Sequence, residues 1–261
     1  MKIRSAVEMV NKGGKFIVIY GETGVGKTAS TLASAPLPIA YVRCEPRDPS
    51  DAIMAAKLDP RDIDIYDADN FLDLLAGLRD PKLFARHRTI FVDGASYLMN
   101  VSLSTEIEQE AFEAREEKEK RLKPLVSQSK MSQEGFGGLS SQMSRMFNLL
   151  GKLSMEGKVV IVSALLAENP KWDRELSAAP AFKGREFPTN MPAFVDMIGL
   201  VQKRFDEHGN IVYPPFVSFE GDGSFICKFT GVKNDPNKKA VGPLDFSRIL
   251  RMERKGGEQT T

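Results

Sequence analysis

The segment Gly21–Thr28, with the sequence GETGVGKT, constrains this chain more than any other feature. It fits the pattern G-x-x-x-x-G-K-[ST], in which the backbone folds around an anion and successive N–H groups converge on phosphate oxygens. The segment follows the apolar run Phe16–Tyr20 and precedes a helical pattern. A phosphate-binding loop needs this context, because the N-terminus of the helix also attracts the phosphate. The sequence therefore predicts a phosphate-binding loop between a buried strand and a helix.

The loop also predicts its ligands. Lys27 provides a compact cation for the β- and γ-phosphate oxygens of ATP, and the hydroxyl of Thr28 is a hard oxygen ligand for Mg²⁺. ATP and Mg²⁺ are therefore the predicted cofactors. The predicted nucleotide-binding residues are Gly21, Glu22, Thr23, Gly24, Val25, Gly26, Lys27, Thr28 and Ala29.

Apolar runs and helical patterns alternate through the first two thirds of the chain. Such alternation predicts an α/β fold with a mostly parallel sheet and helices on both faces. The predicted strands are Phe16–Tyr20, Pro38–Val42, Thr89–Val92 and Val159–Val162, with a weaker one at Ile63–Tyr66. The predicted helices are Ala29–Ser34, Pro49–Leu58, Asn70–Leu78 and Leu139–Leu153. The last third predicts C-terminal antiparallel hairpins, with strands at Asp196–Arg204, Ile211–Phe219 and Ser224–Thr230.

Length and composition predict one domain and exclude some partners. The 261 residues favour a single domain over 1–251, with a charged helical insertion at about 103–123, a long loop at 165–188 and a flexible tail at 252–261. The formal net charge of +1 excludes a chain-wide basic surface for nucleic acid. The N-terminus lacks a signal-peptide pattern, and no run is apolar enough to cross a membrane. We therefore expect a cytoplasmic protein, in the host cytoplasm if it is viral, with no membrane partner.

A carboxylate follows the predicted strand Thr89–Val92. Asp93 ends this apolar run, which is the Walker B pattern, about 65 residues after the loop. The carboxyl ends of parallel strands meet at the crevice where nucleotides bind, so Asp93 is predicted to be a metal ligand together with Thr28. The alternative is that Asp93 caps the following helix.

Taken together, these motifs resemble the phage-encoded branch of RecA-like P-loop ATPases, which includes ATP-dependent single-strand annealing and recombination proteins. The similar segments, in chain order, are GETGVGKT, YVRCE, TIFVDGAS, GFGGLSSQMSRMFNLL, VVIVSALL, PAFKGREFPTNMPAFVDMIGLVQK and SFICKFTGVKND. Family members often carry histidine where this chain has Ser163, and the charged segment Glu106–Lys123 departs from them as an insertion.

The resemblance implies roles for two more residues of the site. Gly94 stands where AAA+ ATPases usually carry their catalytic glutamate, whereas RecA-like proteins place that glutamate after the strand that follows the loop helix. Glu45 occupies this position, which implies that it activates the attacking water. Ser163 ends the fourth strand, where a sensor of the γ-phosphate is expected. The implied catalytic residues are Lys27, Glu45, Asp93 and Ser163.

The resemblance also implies partners. In RecA-like proteins the loop after the fourth strand faces single-stranded DNA, and here it contains the one tryptophan of the chain among basic residues. The implied DNA contacts are Lys171, Trp172, Arg174, Lys183 and Arg185. Such ATPases work as rings or filaments, so a homo-oligomer is expected, with Lys228 and Lys233 as candidate cations donated to a neighbouring subunit. Other recombination or replication proteins are further possible partners.

Three functions stay open at this point, and a fourth, a packaging motor, is disfavoured because no second nuclease domain with clustered carboxylates is apparent. The first is an Mg²⁺-dependent ATPase that acts on single-stranded DNA in phage recombination or replication and is stimulated by it. The second is a small-molecule kinase, against which the scarcity of arginines in the 165–188 segment argues. The third is a nucleotide-dependent switch or assembly protein in which Glu45 has no catalytic task.

Overall fold

The computed structural model describes residues 13–109, 133–173, 175–221, 223–230 and 240–254. The strands are β1 (Lys15–Gly21), β2 (Ile39–Arg43), β3 (Ile63–Asp67), β4 (Thr89–Asp93), β5 (Val159–Glu168), β6 (Ala178–Pro180), β7 (Met197–Phe205), β8 (Ile211–Ser218) and β9 (Val241–Pro243). The helices are α1 (Lys27–Ser34), α2 (Ser50–Ala55), α3 (Phe71–Arg79), α4 (Ala95–Tyr97), α5 (Gln133–Met155), α6 (Glu186–Asn190) and α7 (Phe246–Arg254). Single 3₁₀ turns occur at Pro60–Asp62 and Met191–Ala193, and a π-helical segment, Leu98–Leu103, continues from α4.

The strands of the described ranges form one mixed sheet. Its order is β3-β2-β4-β5-β1-β7-β8-β9, and β6 pairs with the end of β5. The strands from β3 to β7 run parallel to their neighbours, whereas β8 and β9 add antiparallel pairs. The predicted α/β fold, with a mostly parallel sheet and C-terminal antiparallel hairpins, is therefore confirmed. Strand β5 lies between β1, which precedes the phosphate-binding loop, and β4, which ends at Asp93.

Alternate residues of the central strands pack into two separate cores. On one face, Phe16, Val18 and Tyr20 of β1 join a cluster that includes side chains of α3, α5 and α6. On the other face, Ile17 and Ile19 join side chains of α1 and α7. Burial on both faces explains why these strands read as continuous apolar runs rather than as alternating ones.

Helix α5 confirms the longest helical prediction. Its predicted apolar stripe is buried throughout, with Phe147 packed against the rings of Phe16, Phe182, Phe187 and Phe194. The stripe consists of Leu139, Met143, Met146, Phe147, Leu150 and Leu153. The structure extends the helix beyond the predicted bounds at both ends.

Two predictions for the C-terminal half are wrong in detail. Residues Ser224–Thr230 do not form a strand; they contribute isolated bridges from Phe225 to Ala178 and from Lys228 to Ile198. The partner of β8 is instead β9, beyond this segment. The 165–188 segment is not all loop, because β5 continues to Glu168 and pairs with β6. In both places tertiary pairing overrides the local turn and composition signals.

Some predictions fall largely outside the described residues. The charged insertion at about 103–123 is helical over 104–109, and its remainder is not described. Of the tail at 252–261, residues 252–254 belong to α7 and the rest is not described. Within the described ranges, no helix combines the length and the hydropathy that crossing a bilayer requires.

Candidate nucleotide-binding site

The phosphate-binding loop lies where the sequence predicts it. It follows β1, which ends at Gly21, and leads into α1, which begins at Lys27. Gly26 is the N-cap of α1 with φ 96°, and no side chain caps the helix. A left-handed backbone at this position favours glycine. The uncapped N–H groups of the first turn, together with the positive end of the helix dipole, form an anion-binding site.

The ammonium group of Lys27 is folded onto the loop itself. Its Nζ donates to the carbonyl oxygens of Gly21 and Glu22, each at 2.8 Å. Burial lowers the pKa of the Lys27 ammonium to about 8, and the nearby carboxylates of Asp93 and Glu45 partly oppose this shift. A cation buried in this way gains from an anionic ligand that replaces the lost water.

Asp93 is held at the end of β4 by three hydroxyl groups. Thr28 Oγ1 and Tyr41 Oη donate to its Oδ2 at 2.9 Å and 2.8 Å, and Ser163 Oγ donates to its Oδ1. These donors are neutral, so they orient the carboxylate without cancelling its charge. Thr28 and Asp93, the two predicted metal ligands, are thus in direct contact. The alternative role of Asp93, capping the following helix, is not observed, because no side chain caps that helix.

Tyr41 is a member of this cluster that the sequence did not predict. It lies on β2, whose register with β4 places it two residues before the carboxyl end. Burial and the Asp93 carboxylate raise the pKa of the Tyr41 phenol, so the hydroxyl stays protonated as a donor. In the sequence its only signal is a tyrosine inside an otherwise aliphatic run, and that signal is indistinguishable from ordinary core packing.

Ser163 links β5 to the residues that follow β4. The register pairs Val92 with Val162, so the next residue on each strand, Asp93 and Ser163, stand side by side. The buried hydroxyl of Ser163 also accepts a hydrogen bond from the N–H of Gly94 at 2.9 Å. The role of Ser163 as a γ-phosphate sensor stays a prediction. Its hydrogen bond to Asp93 orients that carboxylate.

Glu45 lies over Gly94, next to Asp93. A Cβ atom at residue 94 would come within 2.4 Å of Glu45 Cγ, and the φ of Gly94 is +91°. Glycine at this position therefore leaves space for the Glu45 side chain, which comes from the loop after β2. This arrangement explains why the residue after Asp93 is a glycine.

These groups surround one cavity of about 360 Å³. It is lined by the loop residues Thr23–Ala29 and by Tyr41, Glu45, Arg47, Asp48, Pro49, Asp51, Ala52, Asp93, Gly94, Ser163, Ala164 and Leu165. All four predicted catalytic residues are among them. Gly21 and Glu22 belong to the same loop and contact Lys27, although they do not line the cavity.

The donor set fits Mg²⁺. Thr28 and Asp93 offer a hydroxyl and a carboxylate oxygen on one side of the cavity, and hard oxygen ligands of this kind suit Mg²⁺, which normally keeps several waters and takes substrate phosphates as further ligands. Among the described residues, no group of three or more His, Cys, Asp and Glu side chains is arranged to hold a metal ion.

The predicted DNA contacts are partly brought together. Lys171, Trp172 and Arg185 line an open groove of about 580 Å³ with Phe136 and Phe182. Lys183 does not line this groove: its Nζ donates to Ser104 Oγ at 2.7 Å and its backbone N–H to Asn100 Oδ1 at 2.9 Å. Arg174 lies outside the described residues.

The two lysines predicted to act on a neighbouring subunit are only partly described. Lys228 Nζ donates to the carbonyl oxygens of Pro192 and Val195 at 2.8 Å and 2.6 Å, just before β7. These carbonyls lie at the end of the sheet opposite the phosphate-binding loop, because the parallel strands β1 and β7 both run away from them. Lys228 would have to break both hydrogen bonds before its ammonium group could reach the nucleotide of a neighbouring subunit. Lys233 lies outside the described residues.

The strand order and the loop after β1 define the fold: a mostly parallel α/β sheet in which a phosphate-binding loop joins β1 to α1. Neither a protein-family model nor a curated protein matches the sequence. Among solved structures, the chain is similar to the KaiC-like protein of the hyperthermophilic archaeon Pyrococcus horikoshii OT3. The identity is 13%, the TM-score is 0.43, and the similarity covers 78% of this chain and 77% of that chain. The assignment of the fold rests on the topology and the loop geometry.

Proposed function

We propose that this protein is an Mg²⁺-dependent ATPase. One observation supports the proposal most: Lys27, Thr28, Asp93 and Glu45 all line a single cavity at the N-terminus of α1. A phosphate-binding loop alone binds nucleotide. Hydrolysis also requires a carboxylate held beside the loop threonine, here Asp93, and a second carboxylate in the same cavity that can act on water, here Glu45.

Each residue then has a task in hydrolysis. The N–H groups of the loop and the Lys27 ammonium bind the β- and γ-phosphates and neutralise charge that develops in the transition state. Thr28 and Asp93 would hold Mg²⁺, which would supply positive charge to offset the charge of the phosphates. Tyr41 and Ser163 fix the orientation of the Asp93 carboxylate. Glu45 orients the attacking water and accepts its proton.

The test is ATP hydrolysis by the full chain with and without Mg²⁺. We expect Lys27→Ala to abolish nucleotide binding, because it removes the cation of the loop. We expect Glu45→Gln to retain binding and to lower turnover by about 10²-fold or more, since an amide cannot accept the proton. Asp48→Asn is the matched control, because Asp48 lines the same cavity but accepts its hydrogen bonds from the backbone N–H and the hydroxyl of Ser50.

The alternatives give different results in the same assays. Tight ATP binding without turnover, unchanged by Glu45→Gln, would favour the nucleotide switch. Turnover that appears only with a small phosphate acceptor would favour the kinase. Failure of the wild-type chain to bind ATP would contradict the whole proposal.

We further propose that the ATPase acts on single-stranded DNA. The support is the groove that brings Trp172 together with Lys171 and Arg185. Stacking of a base on an aromatic ring contributes about 1–3 kcal/mol, and adjacent cations bind the phosphates. Three further parts of the proposal are supported by the resemblance to RecA-like recombination ATPases. They are assembly into a ring or filament, stimulation of hydrolysis by DNA, and a role in phage recombination or replication together with other proteins of that process.

A salt titration of oligo(dT) binding tests the DNA proposal. We expect Trp172→Ala to weaken binding by about tenfold at every salt concentration, since it removes a stacking contact of about 1.4 kcal/mol. Lys171→Ala should instead reduce the salt dependence, because one phosphate contact is lost. Phe205→Ala, an exposed aromatic residue outside the groove, is the control. Binding that is indifferent to Trp172→Ala would remove the groove from the proposal.

A further inference from the structure

We propose that Arg47 contacts the terminal phosphate of bound ATP and that Glu45 competes with this phosphate for the Arg47 guanidinium. The arrival of a triphosphate would thereby release Glu45 for its task with water. The inference rests on the proposed ATPase function and assigns to it a residue that the motifs do not predict.

An ion pair between Arg47 and Glu45 forms part of the wall of the cavity. Nε and Nη2 of Arg47 both donate to Oε2 of Glu45, at 3.0 Å and 2.5 Å. Both residues line the cavity that contains Lys27 and Asp93. The Arg47 side chain is 70% exposed, whereas that of Glu45 is 20% exposed. The guanidinium is thus on the solvent side of the pair, where a ligand that enters the cavity meets it.

The backbone holds Arg47 in place independently of its side chain. Its N–H donates to the carbonyl of Glu45 at 2.8 Å, and its own carbonyl accepts from Arg43 Nη1 at 3.2 Å. Arg43 is fixed in turn by two hydrogen bonds to Asp67, at 2.6 Å and 2.9 Å. The backbone of residue 47 is therefore anchored to β2 and β3, while the guanidinium is free to exchange one anionic partner for another.

The exchange has consequences for Glu45. In the structure, Oε2 already accepts two hydrogen bonds from Arg47, and Oε1 lies on the side of Gly94, within 3.0 Å of where a Cβ would be. Arg47 thus occupies both lone pairs of Oε2 and leaves only Oε1 to accept a hydrogen bond from water. A terminal phosphate carries more charge than a carboxylate and offers three oxygens to the planar guanidinium, so it is the stronger partner. The exchange swaps one ion pair for another and moves no proton.

A double-mutant cycle with two nucleotides tests the proposal. The ligands are ADP and a non-hydrolysable ATP analogue, and the measured quantity is the Kd in the presence of Mg²⁺. Because ADP lacks the terminal phosphate, we expect Arg47→Ala to weaken binding of the analogue by about tenfold or more and to leave ADP binding within twofold. Arg47→Lys should recover part of the loss, since it keeps the charge without the planar fork.

The second arm of the cycle isolates the competition. Glu45→Gln removes the anion that holds Arg47, so we expect the analogue to bind more tightly than it binds the wild type. This gain should vanish when Arg47→Ala is also present. Arg61→Ala is the matched control: Arg61 pairs with Asp59 two residues away, with the same spacing, but outside the cavity.

Equal losses for ADP and the analogue in Arg47→Ala would overturn the proposal, because they would indicate a general effect on the cavity. A gain in Glu45→Gln that persists without Arg47 would overturn the competition. These failures differ from failure of the ATPase proposal, in which the wild type binds neither ligand or Lys27→Ala has no effect.

Discussion

Two aspartates at opposite ends of the parallel strands, Asp93 and Asp64, have three and two side-chain partners, respectively, and very different electrostatic surroundings. Asp93, at the carboxyl end of β4, accepts hydrogen bonds from the hydroxyls of Thr28, Tyr41 and Ser163. Asp64, in the first half of β3, pairs with the guanidinium of Arg86 and the imidazole of His87. The first carboxylate is oriented by neutral groups, and the second is neutralised by a cation.

The difference shows what separates a carboxylate that can take a ligand cation from one that stabilises the fold. The Arg86 guanidinium holds the pKa of the Asp64 carboxyl below its usual value, and the His87 hydrogen bond adds to this effect. Asp64 therefore has its cation already. Asp93 accepts hydrogen bonds from hydroxyls, and the nearby ammonium of Lys27 donates to the carbonyls of the loop instead.

The largest contrast is expected in turnover. Asp93→Asn should lower Mg²⁺-dependent ATP hydrolysis by about 10²-fold or more, because it removes the negative charge that would hold the metal. Asp64→Asn should leave turnover within about twofold. Steady-state hydrolysis at saturating Mg²⁺ measures both. Comparable losses in the two variants would erase the distinction between the aspartates.

A second contrast concerns pH. The pKa of Lys27 is lowered to about 8, and bound phosphate favours its charged form. Binding then requires protonated Lys27, so affinity is constant below about pH 8 and declines above it. We expect the Kd for ADP to rise roughly tenfold between pH 7.5 and 9.0. Lys27→Arg, whose side chain stays charged, should show a flatter profile, and an equally steep one would contradict the assignment.

A smaller effect is expected on stability. Asp64→Asn should lower the free energy of unfolding by about 1 kcal/mol, since it leaves Arg86 and His87 without their carboxylate, although Asp64 is partly exposed and screened. For a domain of this size, this corresponds to roughly 2–4 °C in Tm. Thermal unfolding measures it, with Asp59→Asn, another aspartate paired with an arginine, as the control.

The smallest effect concerns the pH dependence of stability. Burial lowers the pKa of the His87 imidazole, and the Asp64 carboxylate opposes this shift without reversing it. The folded state thus prefers neutral His87. Its contribution to stability is present above the unfolded pKa of about 6.5 and is lost as the pH falls below it. The free energy of unfolding, measured with urea, should fall between pH 7.5 and pH 5.5 by up to about 1 kcal/mol less in His87→Gln than in the wild type. An identical fall in the two proteins would mean that the Asp64 ion pair, not burial, dominates the pKa of His87.

Much of the site could be predicted because it follows from local sequence. The loop residues, Lys27, Thr28 and Asp93 stand at the ends of apolar runs, and parallel strands bring such ends together. Tyr41 and Arg47 could not be predicted in the same way. Tyr41 reaches Asp93 through the register of β2 with β4, and Arg47 reaches Glu45 through a turn that no pattern of residue types specifies.

The same distinction separates the elements of the fold that could be predicted from those that could not. Buried strands and the helix α5 were predictable, since an apolar run or stripe identifies them without knowledge of their neighbours. The segment Ser224–Thr230 was not, because it pairs with β6 and β7 only through single backbone bridges, at Phe225 and Lys228, while β9 lies beside β8. Strand pairing depends on which edge is available, and that is a property of the assembled sheet.

The sequence by itself determined that this chain has a phosphate-binding loop, a parallel sheet and a carboxylate placed to meet the loop. These follow from the conformational needs of glycine, the periodicity of apolar residues and the common direction of parallel strands. Only the tertiary structure decided which neighbours each carboxylate has: hydroxyls around Asp93, a guanidinium on Asp64 and another on Glu45. The physical reason is that the charge state and freedom of a carboxylate depend on groups within about 3 Å. Residues far apart in the chain supply these groups for Asp93 and Asp64, and the local turn of the folded chain supplies Arg47 for Glu45.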